Sequence, residues 1–307
     1  MRLVIVKAPE GHGNNIAELA VAAGADQVSL RQARQFKSGN QESTLDVVEV
    51  ETATPRAKHF IERLLEAPFY NPDTYAFTTI HPESLLAGGT PEEDSHPMPR
   101  PTPDVYEELW QFSKITIGLL GRVFLSSTLL AYGMVEDLLP LILAGLLFLP
   151  FHHHMLTVGL GVVLREWHFL WQGVLALLAS TLMILLAGVC VALFTEPPVA
   201  FEEFGTPLTG MLLSAVIGAA AALGAVDDAG RRELIGLAAT AHISVYPAWF
   251  GLKLIFGLDA GDNWEEHLLT FGVNVLSLTL IAGITFAVMQ MRGGGVRRYV
   301  SKRTGTA

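Results

Sequence analysis

Three consecutive histidines, His152-His153-His154, follow Pro150 inside a long apolar stretch, and His242, Ser244 and Tyr246 precede Pro247 inside another. Imidazoles titrate near pH 6.5 and suit proton relay and divalent-metal binding alike. Neither stretch has a carboxylate in its core, so permanent metal binding is the weaker of the two and no metal ligands are assigned. Proline removes a backbone donor and crowds the preceding turn, freeing carbonyls that need partners. Two such prolines are expected to interrupt their helices and gather polar groups near the middle of the apolar region. The plainer alternative stays open: a single proline often only kinks a helix, and a buried histidine is commonly a packed, hydrogen-bonded residue. On an intact helix three successive positions spread over about 200°, so at least one would point away from a common site. Catalytic signatures are missing: there is no HExxH, GxSxG or Walker-type phosphate loop and no cysteine pair. A membrane metalloenzyme needs several spaced histidine boxes, and this chain has one contiguous triplet. The expectation is a protein that is not an enzyme, with no cofactor.

The elements that must position these residues are hydrophobic and long. Of the 307 residues, 50% are apolar while the net charge is -10, and the two properties belong to different stretches. Up to Glu108 the chain is charged, whereas from Ile115 to Met291 apolar segments follow one another with short polar breaks. We read them as Ile115 to Val135, Leu138 to Leu164, Phe169 to Phe194, Gly210 to Val226, Leu234 to Leu258 and Leu268 to Met291, each long enough to cross a bilayer about 30 Å thick. Six crossings place both termini on one side. Arg100, Lys114, Arg165, Arg231, Arg232 and the basic tail fall on one face, and the alternate loops carry Glu136, Asp137, Glu196, Glu202, Glu203, Asp259, Asp262, Glu265 and Glu266 without a basic residue. Basic loops stay in the cytoplasm, so both termini are expected there. No secretory signal segment is expected, since only Leu3 to Val6 is apolar near the start. Basic stripes for nucleic acid are absent outside the tail.

Gly133 to Leu147 and Gly224 to Ala238 align without a gap, with identities at Gly133/Gly224, Val135/Val226, Asp137/Asp228, Leu143/Leu234, Gly145/Gly236 and Leu146/Leu237. Read as a duplication, with three crossings per half, this is a 3+3 inverted repeat. That is the signature of secondary transporters, whose sites lie near the midplane on broken helices. Polar groups at that depth are costly and normally face the bundle interior or a wet cavity, which makes Pro150, His152, His153, His154, His242, Ser244, Tyr246 and Pro247 the candidate pathway.

Other residues carry two readings. Arg122 either snorkels to the interface or serves as a counter-charge for an anion. Asn274, with Ser277 and Thr279, either reaches the cavity or makes interhelical hydrogen bonds. Gly210, Ser214, Gly218 and Ala222 form a small-residue ladder for helix packing, within the repeat or in a homo-oligomer. Lys253 is read as snorkelling outward, and Cys190, the single cysteine, as packing.

Residues 1-87 read as a ferredoxin-like βαββαβ domain. Its strands are Leu3 to Lys7, Val28 to Phe36, Leu45 to Glu51 and Tyr75 to Ile80. Asn14 or Asn15 caps one helix, ending at Gly24, and Pro55 opens another with a Phe60, Ile61, Leu64, Leu65 stripe. The Gly11-x-Gly13 turn is either an anion cradle or a plain turn. Residues 88-104 are a Pro-rich acidic linker, 105-292 the membrane domain, opening with a short interfacial helix, and 293-307 a basic tail.

The His81 to Leu86 strand exit, followed by Gly145, Pro150, Gly159 and Gly161 in the second segment and Pro247 in the fifth, resembles the prokaryotic hydrophobic family catalogued as domain of unknown function 389. The chain departs from that pattern at His152-His153-His154, where small apolar residues are usual. The resemblance implies the architecture and a prokaryotic inner membrane, and supplies no activity. Function is therefore expected from the residues: a transporter or permease for a small solute or ion, protons included, with the soluble domain regulatory. The alternative is a membrane sensor or oligomeric scaffold whose soluble domain binds a ligand or partner.

Overall fold

The structure is a computed structural model that describes residues 2–37, 41–80, 100–201, 204–227, 232–258 and 261–291. The expected linker at 88–104, apart from its last five residues, and the basic tail at 293–307 lie outside the described residues. One compact unit holds a small sheet, within Met1–Val105, and the other holds most of the helices, Tyr106–Ala225 and Gly230–Met291.

The sheet unit runs β1 (Arg2–Pro9), α1 (Gly13–Ala22), β2 (Gln27–Lys37), β3 (Gln41–Thr52), α2 (Thr54–Glu66) and β4 (Ala76–Ile80). All pairings are antiparallel, in the order β2-β3-β1-β4. Alternation decides its face: Val4 and Val6 stand opposite Val50 and Val48, and all four are buried with Ile16, Phe60, Ile61, Leu64 and Leu65 of the two helices. Neither Asn14 nor Asn15 caps α1; its N-cap is His12, without a side-chain bond. The reason lies across the sheet, where the Asp46 carboxylate accepts from Gly11 N–H at 2.9 Å and Gly13 N–H at 2.8 Å. The donors that an external anion would use are thereby taken, which leaves the turn a structural one.

The second unit begins within α3 (Thr102–Ser113) and continues with α4 (Ile117–Val135), α5 (Leu139–Phe148), α6 (Phe151–Leu164), α7 (Trp167–Ala192), α8 (Pro207–Val226), α9 (Arg232–Phe256) and α10 (Trp264–Val288). Its polarity is inverted relative to a water-soluble bundle. On α7, Gly173, Ala176, Ser180 and Ala187 are buried while Leu175, Leu178, Leu182 and Leu186 are exposed, as suits a helix surrounded by lipid that meets its neighbours through small residues. Among the described residues, α4, α7, α8 and α10 are long and apolar enough to cross a membrane, and α5 with α6 makes a fifth span if the bent pair is counted as one. The sequence predicts six; α9, whose middle holds His242, Ser244, Tyr246 and Pro247, is not among these spans.

The two prolines behave differently. At Pro150 the predicted second segment is two helices, bent by 40° at Leu149 and Pro150. At Pro247 the expected interruption does not occur, and α9 runs through the proline from Arg232 to Phe256. A proline inside a helix forfeits one backbone bond and is tolerated in membrane helices where neighbours or side chains compensate. Only the first site divides its segment into two helices.

Candidate functional site

The break between α5 and α6 exposes helix ends inside an apolar unit. The last carbonyls of α5 and the first N–H groups of α6 have no partners within their own helices, apart from the closing turns Leu149 N–H to Leu146 O at 3.3 Å and His153 N–H to Pro150 O at 3.1 Å. The histidine triplet forms the first turn of α6 and spreads as helical geometry requires. His154 is buried and pairs through Nε2 with Ser180 Oγ of α7 at 3.0 Å. His153 stacks on Phe112 of α3, ring centroids 4.0 Å apart and planes within 17°. His152 is buried with its ring centroid 3.9 Å from that of His153. Nδ1 of His152 and of His154 has no hydrogen-bond partner among the described residues. Beneath the stack, Thr157 donates to His153 O at 2.7 Å and shares a 2.6 Å bond with Ser113 Oγ.

The second predicted cluster has other partners. His242 Nε2 lies 3.2 Å from Gly210 O on α8. With the Asn274 carboxamide turned so that its nitrogen faces carbonyls, Asn274 donates to Gly210 O at 3.1 Å and Thr270 O at 3.3 Å, and its oxygen accepts from His242 Nε2 at 3.2 Å. Asn274 thus joins three helices. The ladder of α8 faces α10 in the same chain: a Cβ on Gly218 would lie 2.6 Å from Leu278 O, and Ser214 and Ala222 are fully buried. The structure therefore brings the triplet together with α3 and α7, and His242 with α8 and α10.

Most hydroxyls here are satisfied locally. Ser126, Ser127, Thr181 and Thr279 donate to the carbonyl four residues back at 2.7 to 2.8 Å, the usual arrangement in membrane helices. Ser214 and Ser244 depart from it, fully buried with no partner for Oγ among the described residues. For Ser214 the cause is visible: the carbonyl it would take is that of Gly210, which already faces His242 and Asn274.

Sequence reasoning did not find the cavity of about 560 Å³ at the α9–α10 end, walled by Phe201, Phe204, Trp249, Lys253, Asp262 and His267 among others. Lys253 pairs with Asp262 at 2.7 Å and lies over the Trp249 ring at 5.7 Å. Tyr246, the predicted pathway residue, packs toward this cluster, 5.4 Å from Phe204 between ring centroids. The signal was compositional, a set of rings split between the loop of Phe201 and Phe204 and the distant helices α9 and α10, and neither half carries a motif. A smaller cavity of about 320 Å³ lies between the end of α3 and the start of α4, lined by Lys114 and Arg122.

Comparison of the chain with family models, curated proteins and solved structures returned no match.

Proposed function

We propose that the chain is a multi-pass prokaryotic inner-membrane protein that moves a small solute or ion, protons included, past the break between α5 and α6. The observation that carries this reading is the 40° break at Leu149 and Pro150 followed at once by buried histidines with open Nδ1 atoms. Half-helix ends and ionisable groups are expensive in hydrocarbon and persist where they line a pathway. In this reading α9 is the sixth crossing, the two halves are an inverted repeat, both termini are cytoplasmic, and the resemblance to domain of unknown function 389 reflects kinship. The sheet unit is ferredoxin-like, a reading supported by its β2-β3-β1-β4 order, and regulates rather than forms the pathway. The chain works as a transporter without enzyme chemistry.

Flux in proteoliposomes tests this. Replacing His152, His153 and His154 together by Leu should leave insertion and folding intact while abolishing flux or flattening its pH dependence. An unchanged rate and pH profile would make the triplet structural. Absence of flux from the well-folded native chain across a panel of ions and solutes would favour the sensor or scaffold instead. For topology, cysteines at Glu203 and Asp262 should react with an impermeant reagent in intact cells and one at Gly230 should not. The opposite pattern would reverse the orientation, and a mixed one would defeat the six-crossing count.

A further inference from the structure

Arg122 stands five residues into α4, about 7–8 Å beyond its start at 1.5 Å per residue. A guanidinium within a membrane span is costly unless negative charge or water meets it. Among the described residues no carboxylate forms an ion pair with Arg122 or with Lys114, although Lys253 in the same unit has its Asp262. Arg122 and Lys114 line one cavity of about 320 Å³ with Gln111, Phe112, Thr116 and Gly118. Its lining holds two cations, an amide and a hydroxyl, and no acid. Glu108 of α3 is not part of that lining.

We propose that this cavity binds a phosphoryl anion. A planar guanidinium meets two oxygens of a phosphoryl group at once, and an ammonium adds a mobile point charge beside it. The pairing of one Arg with one Lys therefore matches a group with several equivalent oxygens and one to two negative charges. Thr116 Oγ1 already accepts from Leu119 N–H at 3.1 Å, so the side-chain cations carry the recognition. Two sources share this chemistry: the phosphate of an anionic phospholipid, whose headgroup lies at the depth where a membrane helix begins, and free inorganic phosphate. The inference does not depend on transport, because a chain without flux would bind the anion equally.

The test is thermal unfolding of the full-length protein in a non-ionic detergent, titrated with phosphatidylglycerol, with diacylglycerol as its phosphate-free counterpart, and with inorganic phosphate. Phosphatidylglycerol should raise the midpoint saturably and diacylglycerol should not. A rise with inorganic phosphate as well identifies a free phosphoryl anion as sufficient, and no rise with it identifies the lipid headgroup. Arg122→Gln should raise the half-maximal concentration on the order of tenfold or more, the loss expected for a charged hydrogen bond, with Arg122→Lys recovering part of it. Lys253→Gln should leave that concentration unchanged whatever it does to the starting midpoint. Equal stabilisation by diacylglycerol, or a native titration curve in Arg122→Gln, would overturn the proposal.

Discussion

Arg122 and Lys253 are both cations placed near the ends of apolar helices, and the chain treats them oppositely. Lys253 is settled internally, by Asp262 at 2.7 Å and the face of Trp249. Arg122 faces a cavity without an acid. The first arrangement is a closed account of charge within one polypeptide; the second is complete only with something from outside. A basic residue in a membrane segment is therefore not informative by its type, and its meaning is set by whether the fold supplies a carboxylate.

The contrast can be broken most severely at the closed pair. Asp262→Asn removes the carboxylate that Lys253 meets at 2.7 Å and should cost about 1–3 kcal/mol in thermal unfolding, and adding Lys253→Met should recover part of that, since removing both partners of a half-buried pair is milder than removing one. Ser180→Ala comes next: it leaves Nε2 of the buried His154 without the bond now made at 3.0 Å, a loss of about 1 kcal/mol. Arg122→Gln, measured without phosphate or anionic lipid, should change stability by less than about 0.5 kcal/mol; a large loss there would show that an internal partner exists. The smallest effect belongs to Glu62 in the sheet unit. Burial raises its carboxyl above the ordinary value of 4.5, Lys58 opposes and Glu66 adds. Folding therefore favours the protonated form. Its stabilising contribution is full below the unfolded value and is lost as pH rises through the higher folded one. Glu62→Gln should raise the unfolding midpoint slightly at neutral pH and not at pH 4.

The sequence made the long elements legible because each has one strong period. The α4, α7, α8, α9 and α10 boundaries fall within a few residues of the predicted segments, and the four predicted strands each fall on a strand of the sheet. Pro150 and Pro247 look alike in sequence, yet only Pro150 divides its segment into two helices, because neighbours decide whether a freed carbonyl can be tolerated within a continuous helix. Part of the internal alignment has a local cause. Asp137 adopts φ 51, a left-handed turn that Asp tolerates. A Cβ on Gly133 would meet Ile142 N at 2.9 Å, and one on Gly145 would meet Leu130 N at 2.7 Å. These matched columns are what a tight helix hairpin requires, and the turn of the second copy, 228–231, lies outside the described residues. The candidate site was half legible. The histidines were visible by type, whereas Phe112, Ser180 and Thr157 were ordinary in sequence and acquire meaning only by contact.

The glycines have a mechanical consequence. Gly133 and Gly145 press α4 and α5 together at backbone distance, and Gly161 does the same for α6 and α7, where a Cβ would stand 3.0 Å from Leu170 Cα. Each hairpin is thereby a stiff plate that cannot shear internally without steric overlap. The plates are joined through Leu149, at φ -82 and ψ 117, and Pro150, at φ -82 and ψ 22. The proline ring holds its own φ near that value, so three rotatable torsions connect them. Any tilting of one plate against the other along the chain has to pass through that short axle, and the imidazoles of the next turn ride on its far side.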